Sequence, residues 1–283
     1  MSDPKIGFIT SVKLGFSCME AIYESGQKIS LAITLPNDVS KKKSGRVLID
    51  SFCNEKKIPL LKVLHINQSE VVEKIKEFKI DWLFIIGWSQ IANKALVSAA
   101  LKGTIGAHPT LLPVGRGRAS LPWAILKNLK ETGVTFFKLG EGVDDGPIIF
   151  QNKIKVSSEE TATTLYSKIV SAHKNIIKKL APILIENNLK TYNQNETLAT
   201  FWPGRKPNDS EINLNESIWK AERLIRAVTK PYPGAFYIEN KKKIIIWKAH
   251  VLNQDPSNKD NKYLKFNDGY LVLDNFEEIN LSK

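Results

Sequence analysis

Apolar and polar positions alternate along the chain in blocks that predict strands and helices in turn. Continuous apolar runs, typical of strands buried on both faces, lie at residues 5–10, 29–35, 58–64 and 81–87. The 3.6-residue spacing of apolar positions predicts helices between them, at residues 16–23, 47–57 and 71–78. Gly26 is placed to end the first helix, and residues 87–91 are predicted to end the fourth strand and begin a further helix. Strand and helix therefore alternate, which predicts an α/β fold with a Rossmann-like, mostly parallel sheet and helices on both faces.

The middle of the chain continues this pattern less regularly. Residues 132–139 and 148–156 are predicted strands, and residues 40–46 a charged loop. Ser157 and the acidic residues after it favour the capped start of a long helix. We expect Pro182 to kink that helix and Asn187 with Asn188 to end it.

The last part of the chain predicts a separate β domain. Residues 193–209 are polar with glycine and prolines, which is typical of a linker. A helix at Ile218–Val228 and strands at residues 244–251, 263–266 and 270–273 follow, with Asp268-Gly269 as a hairpin turn. We therefore expect a catalytic domain at residues 1–195 and a small β-barrel at residues 205–283.

Composition narrows the classes of function. The net charge of +12 favours an anionic partner such as a nucleotide, a folate or nucleic acid. The alternative is that lysine runs such as residues 241–243 are only solvated. Two cysteines are too few for a disulfide framework or a zinc site, and no apolar run is long enough for a membrane span. We expect a cytoplasmic protein that binds no membrane.

Two nucleotide-binding motifs are missing from the sequence. No Gly-x-Gly-x-x-Gly follows the first predicted strand, and no phosphate loop ends in Gly-Lys-Ser/Thr. The sequence therefore argues against a nicotinamide enzyme and an ATP enzyme.

The densest chemistry lies in residues 106–146. His108 stands among prolines and glycines, Arg116 and Arg118 follow it, and Asp144 lies in Gly-Val-Asp-Asp-Gly-Pro. Glycines let the backbone approach a ligand closely, and arginines suit phosphates or carboxylates. A histidine and a carboxylate together can move a proton and stabilise developing charge. Alternatively, one of the arginines pairs with a carboxylate of the fold.

This segment resembles the folate-dependent formyltransferases. The matches to the family pattern are His108, Pro109, Leu111, Leu112, Pro113, Arg116, Gly117, Trp123, Thr132, Gly133, Thr135, Asp144 and Gly146. A weaker similarity covers nearly the whole chain, and residues 226–236 resemble the junction to an OB-like C-terminal domain. One departure matters, because Gly106 stands where the family has asparagine.

The resemblance implies a role for each residue of the site. A protonated His108 would donate to the negative oxygen that forms when an amine attacks a formyl group, and Asp144 would hold the charged ring and accept the proton. The donor, 10-formyltetrahydrofolate, would bind between two loops; these supply Trp88, Ser89, Gln90, Ile91, Leu139, Val143, Asp144 and Asp145. The acceptor would meet Thr110, Pro113, Arg116, Gly117 and Arg118, and no metal is required.

Gly106 removes the family's second donor to the oxyanion. Such a donor is typically worth about 100- to 1000-fold in rate. Gln90, Ser89 or Thr110 would replace it, a water would fill the gap, or the protein is a weak or repurposed member. We favour a replacement or a water.

Three functions follow from the resemblance. The first is an N-formyltransferase that acts on a nucleotide-linked amino sugar for cell-surface polysaccharide such as lipopolysaccharide or O-antigen, which the Arg116-Gly-Arg118 phrase favours. The second is methionyl-tRNA formyltransferase in translation initiation, the only reading with tRNA as a partner. The third is a non-catalytic folate- or nucleotide-binding protein. A homodimer is one open assembly state.

Overall fold

The structure is a computed structural model that describes residues 3–40, 45–256 and 262–281. Residues 41–44 of the predicted charged loop lie outside the described residues. The strands that precede the C-terminal sheet are β1 (Ile6–Ile9), β2 (Ile29–Thr34), β3 (Leu60–Lys62), β4 (Trp82–Ile85), β5 (Gly103–His108), β6 (Arg116–Gly117), β7 (Glu131–Lys138), β8 (Ile148–Lys155) and β9 (Phe201–Trp202). The helices of the chain are α1 (Lys13–Glu24), α2 (Asn37–Ser40), α3 (Asp50–Lys56), α4 (Ser69–Glu77), α5 (Lys94–Val97), α6 (Ser120–Leu126), α7 (Ala162–Ile185) and α8 (Ile218–Val228).

The main sheet has the strand order β3-β2-β1-β4-β5-β7-β8 among the described residues. Strands β1 to β5 run parallel, and β7 pairs with β5 in the antiparallel direction. Val71 and Ile75 of α4 pack on one face of this sheet. On the other face, His173 of α7 contacts Phe136 of β7. The predicted Rossmann-like fold class is confirmed.

His108 is the last residue of β5. It therefore lies at the carboxyl edge of the parallel strands, where open α/β sheets bind their ligands. Its register partner on β7 is Thr135, so the two side chains share one face of the sheet.

Two local predictions are wrong at their boundaries. Residues 88–93 form a loop rather than the start of a helix, and α5 begins only at Lys94, where the Asn93 side chain caps it. The long helix α7 begins at Ala162 rather than after Ser157, because the Thr161 hydroxyl accepts the Thr164 N–H. Its predicted end is confirmed, since Asn187 adopts the left-handed conformation directly after it.

The C-terminal sheet is antiparallel and has the strand order β10 (Ala235–Glu239), β11 (Lys242–Leu252), β13 (Gly269–Asn280) and β12 (Tyr263–Phe266). A register shift between β11 and β13 near Lys248 marks a β-bulge, a feature that increases the twist of a sheet. Gly269 follows Asp268 in the predicted hairpin. Helix α8 packs against α6 and β11, and the predicted β domain is thereby present.

The chain forms two compact units. The first contains residues 1–117, 132–154 and 168–201, and the second contains residues 118–131, 155–167 and 202–283. The domain bounds 1–195 and 205–283 stay a prediction. None of the described helices combines the length and apolar character needed to cross a bilayer.

Candidate functional site

His108 and Asp144 meet at the end of β5. The His108 ring is buried, its Nε2–H donates to the Gly115 carbonyl at 2.8 Å, and its Nδ1 lies 3.4 Å from Asp144 Oδ2. A carbonyl only accepts, so Nε2 must carry a proton. A second proton, on Nδ1, would lie between the ring and the carboxylate. The structure therefore brings together the two residues that the sequence assigned to proton handling.

Asp144 is held at both its side chain and its backbone. Its φ of 54° places it in the left-handed region. Its Oδ2 accepts the Gly117 N–H at 2.9 Å, and its carbonyl accepts from Gln194 Nε2 at 2.8 Å. The Gly117 N–H therefore orients the carboxylate, whereas the sequence had assigned Gly117 to the acceptor substrate.

Arg116 faces the protein interior rather than a ligand. Its guanidinium is 3% exposed and makes four hydrogen bonds, two to Gln194 Oε1 and two to the Glu196 carboxylate. The hydrogen bonds with Glu196 raise the pKa of Arg116, with burial opposing. The predicted substrate contact of Arg116 is therefore wrong in this structure, and the alternative of a carboxylate partner within the fold is confirmed.

The turn after His108 is fixed from β7. The Thr135 hydroxyl donates to the Thr110 carbonyl at 2.7 Å and accepts the Leu112 N–H at 3.1 Å. The Thr110 hydroxyl is buried and has no hydrogen-bond partner among the described residues. Pro113 is half-buried. Thr110 is therefore buried, and its predicted contact with the acceptor stays a prediction.

The loop at residues 88–91 forms one predicted wall of the donor site. Gln90 Oε1 accepts from the Ile66 N–H and from Trp88 Nε1, and its Nε2 donates to the Leu64 carbonyl. Trp88 packs against the core, and Ile91 is 68% exposed. These bonds hold the segment as a loop, which explains why it does not continue as a helix. They also engage the Gln90 amide with Leu64, Ile66 and Trp88, which disfavours Gln90 as a replacement for the missing asparagine.

The loop at residues 139–146 forms the other predicted wall. Lys94 and Glu141 form a 2.7 Å ion pair, which ties this loop to the start of α5 just beyond the first wall. Val143 is 43% exposed. The Asp145 carboxylate lies over Gly142, where a Cβ would come within 2.1 Å of it. Ile91 and Val143 are thus exposed apolar residues, one on each loop, and Ser89 is exposed as well.

Leu139 and Phe137 lie where a side chain at position 106 would begin. A Cβ at this position would lie 2.7 Å from Leu139 Cδ2 and 3.3 Å from Phe137 Cζ. Leu139 in turn packs on the apolar cluster of Leu112, Phe137 and Ile148. Leu139 therefore occupies part of the space next to Gly106, which disfavours the predicted water there.

The residues that sequence reasoning missed lie in the predicted linker. These residues bond to the turn that follows His108. Gln194 and Glu196 accept from Arg116, and the Thr200 hydroxyl accepts the Gly115 N–H at 2.8 Å. Residues 193–201 are therefore part of the site and not a spacer. Only Arg116 could have indicated these contacts from the sequence, since a buried guanidinium needs a partner from elsewhere in the chain.

A second group of cations surrounds Trp123 in the second unit. The Arg205 guanidinium lies 5.4 Å and Lys127 Nζ 5.7 Å from the centre of the Trp123 ring, and Trp123 Nε1 donates to the Pro203 carbonyl at 2.8 Å. The exposed Arg118 side chain lies beside Gly204. Within the described ranges, Arg118, Lys127 and Arg205 form no ion pair with a carboxylate. Burial lowers the pKa of Arg205, with Asp209 opposing.

No group of three or more His, Cys, Asp or Glu side chains among the described residues is arranged to hold a metal ion.

Comparison with known proteins gives two family matches. The formyl transferase model matches residues 18–180, and the formyl transferase C-terminal domain model matches residues 205–279. The chain is 29% identical over 239 residues to the bifunctional polymyxin resistance protein ArnA of Wigglesworthia glossinidia brevipalpis. That match covers 84% of the chain and 36% of the relative, so the chain spans about a third of that protein's length.

Solved structures share the fold at low identity. An N-formyltransferase from Helicobacter canadensis, in complex with folinic acid and dTDP-3-aminofucose, has a TM-score of 0.67 at 20% identity, over 97% of this chain and 100% of its own. A methionyl-tRNA formyltransferase from Clostridium thermocellum has a TM-score of 0.66 at 20% identity, over 98% of this chain and 99% of its own. WlaRD, a sugar 3N-formyl transferase, has a TM-score of 0.67 at 19% identity and covers 99% of each chain.

Proposed function

The chain belongs to the formyl transferase family, and on that premise we propose that it moves a formyl group from 10-formyltetrahydrofolate to the amine of a nucleotide-linked amino sugar. The observation that carries the proposal is the His108–Asp144 pair at the carboxyl end of β5, with 3.4 Å between Nδ1 and Oδ2. The product would serve the synthesis of cell-surface polysaccharide.

The pair supplies what formyl transfer needs from a protein. A new bond forms between the amine nitrogen and the formyl carbon, and the bond from that carbon to the donor nitrogen breaks. The amine loses a proton, and the released donor nitrogen takes one up. Both ring nitrogens of His108 face acceptors of the protein, at Gly115 and Asp144, so a protonated ring would stabilise the negative charge on the formyl oxygen through its positive charge. The Asp144 carboxylate, fixed by the Gly117 N–H, is the acceptor for the amine's proton.

The donor site is supported by the two loops. 10-Formyltetrahydrofolate supplies the formyl group when it is bound there. Exposed Ile91 and Val143 would flank its ring, and the Lys94–Glu141 pair holds the loops near each other. Folinic acid in the Helicobacter canadensis protein, and 5-N-formyl-THF in the WlaRD crystals, agree with a folate donor.

The acceptor assignment is supported by the cations around Trp123. Arg118, Lys127 and Arg205 lack carboxylate partners in the described ranges, which suits an anionic acceptor such as a nucleotide diphosphate. Sugar formylation by WlaRD, and the aminofucose nucleotide in the Helicobacter canadensis complex, point to the same class of acceptor. The alternative acceptor is methionyl-tRNA, which the net charge of +12 and the Clostridium thermocellum neighbour favour.

Formylation assays with the full chain test this proposal. We expect a mass increase of one formyl group on an amino-sugar nucleotide supplied with 10-formyltetrahydrofolate, and none on charged initiator tRNA. Asp144→Asn is the control for chemistry at the proposed site. Transfer to tRNA alone would replace the sugar acceptor, and folate binding without turnover on any amine would favour the non-catalytic reading.

The cations around Trp123 give a second, narrower test. Arg205→Ala should raise the KM for the sugar nucleotide at least about tenfold, the loss expected for a charge-assisted hydrogen bond. The KM for the folate should stay the same. Lys206→Ala is the matched control, because it removes an exposed cation from the next position. Equal effects of both variants would argue against a specific acceptor site.

A further inference from the structure

Gln194 joins the two segments that carry the catalytic pair. Its Nε2 donates to the Asp144 and Gly146 carbonyls, each at 2.8 Å, and its Oε1 accepts from Arg116 Nε and Nη2 at 3.2 and 2.7 Å. The residue is 9% exposed. Both donors and the acceptor of one amide are therefore used inside the site.

These bonds act on the backbone that aims the Asp144 carboxylate. Asp144 is in the left-handed region, which is uncommon for an L-residue, although aspartate tolerates it better than most. A Cβ at Gly146 would come within 1.8 Å of the Lys138 carbonyl, so the loop is folded tightly onto β7. The Gln194 bonds hold the peptide groups on the C-terminal side of Asp144. Among the described residues, no other side chain donates a hydrogen bond to the Asp144 carbonyl.

The charges around Gln194 require a neutral amide. The Arg116 guanidinium is already paired with Glu196, at 2.6 and 2.9 Å. A carboxylate at position 194 would lose both donors and would face the Asp144 and Gly146 carbonyls with like partial charge. Asparagine at this position would be one methylene too short to keep both sets of bonds.

We propose that Gln194 is a positioning residue, which holds Asp144 in the orientation in which its carboxylate meets His108. The inference rests on the proposed function, since it concerns the pair at which formyl transfer would occur. It also makes residues 193–201 a working part of the site.

A double-mutant cycle with Asp144 tests the inference. Gln194→Glu keeps the side-chain shape and removes the donors, so kcat should fall at least about tenfold, the factor for one strong hydrogen bond, while the KM for the acceptor changes little. In the Asp144→Asn background the same substitution should have almost no further effect on kcat. Asn188→Asp is the matched control, because it makes the same change from a neutral amide to a carboxylate at an exposed residue outside residues 193–201. We expect it to keep wild-type kcat.

The outcomes separate the inference from the proposed function. Full kcat in Gln194→Glu, or an equal loss in both backgrounds, would overturn the positioning role while leaving formyl transfer intact. Gln194→Ala takes the place of Gln194→Glu if the glutamate variant does not fold. A wild-type protein that formylates no acceptor would defeat the proposed function instead; the same cycle on unfolding free energies would then still show whether residues 194 and 144 are coupled.

Discussion

His173 should make the folded chain sensitive to acid. Its imidazole is fully buried on α7 and contacts the Phe136 ring, with 5.5 Å between centroids. Its Nδ1–H donates to the Ile169 carbonyl at 2.8 Å, and Nε2 has no hydrogen-bond partner among the described residues. A proton on Nε2 would therefore be a buried charge without compensation.

The direction and size of the effect follow from its pKa. Burial lowers the pKa of His173 from 6.5 to about 4; the hydrogen bond to Ile169 opposes this, and His108 adds to it. Below about pH 6.5 the unfolded chain takes up a proton that the folded chain excludes until near pH 4, so the free energy of unfolding falls as the pH falls. The full difference corresponds to roughly 3 kcal/mol, of which about 2 kcal/mol is lost by about pH 5.

Urea unfolding at about pH 7.5 and about pH 5 measures this loss. His173→Phe keeps an aromatic ring against Phe136 and cannot titrate, so its free energy of unfolding should fall by about 2 kcal/mol less than that of the wild type between the two conditions. The exposed His65, changed to glutamine, should keep the wild-type dependence. Equal losses in wild type and His173→Phe would refute the reasoning.

Further substitutions probe the site. His108→Gln removes the ring that faces Asp144, and the rate of formyl transfer, followed by product mass, should fall by about 10²- to 10⁴-fold; a rate within about threefold of wild type would contradict the assignment. Gly106→Asn places its Cβ against Leu139, so it should lower the free energy of unfolding by roughly 1–3 kcal/mol without raising turnover. Turnover should rise only when Leu139→Ala is added, and a gain from Gly106→Asn alone would show that the leucine is no obstacle. Glu196→Gln, at an exposed carboxylate, should cost at most about 1 kcal/mol in urea unfolding. Arg116→Met should cost more, because it leaves the buried Gln194 oxygen unpaired.

The strands of the main sheet could be predicted because burial on both faces demands apolar runs. Phe8 and Phe84, stacked 5.8 Å apart on neighbouring strands, are examples of such residues. The His108–Asp144 pair was also predictable, although only through resemblance, since nothing in the spacing alone brings those two residues to 3.4 Å. Local periodicity therefore predicts the strands of the fold, and motif similarity predicts the His108–Asp144 pair.

The polar framework around the pair could not be predicted from local patterns. Gln194 lies in a polar stretch whose composition is typical of a linker, and its partners are 48 to 78 positions away in the chain. The loop that contains Gln90 was wrongly predicted to begin a helix for the same reason, because its bonds go to Leu64 and Ile66. Sequence patterns report on neighbours three or four residues apart and are silent about such distant polar contacts.

The consequences of Gly106 follow from the sequence and the structure together. The sequence shows that an amide donor is missing, and the structure shows that Leu139 fills the adjoining space and that Gln90 is engaged elsewhere. Stabilisation of the oxyanion then depends more heavily on His108, whose orientation rests on the Gly115 carbonyl and on Asp144. Both of these contacts are held from residues 194–200, by Gln194 and by Thr200. Because the site has one donor fewer, its rate should be more sensitive to misalignment of His108. Small substitutions at Gln194 and Thr200 should therefore affect turnover most.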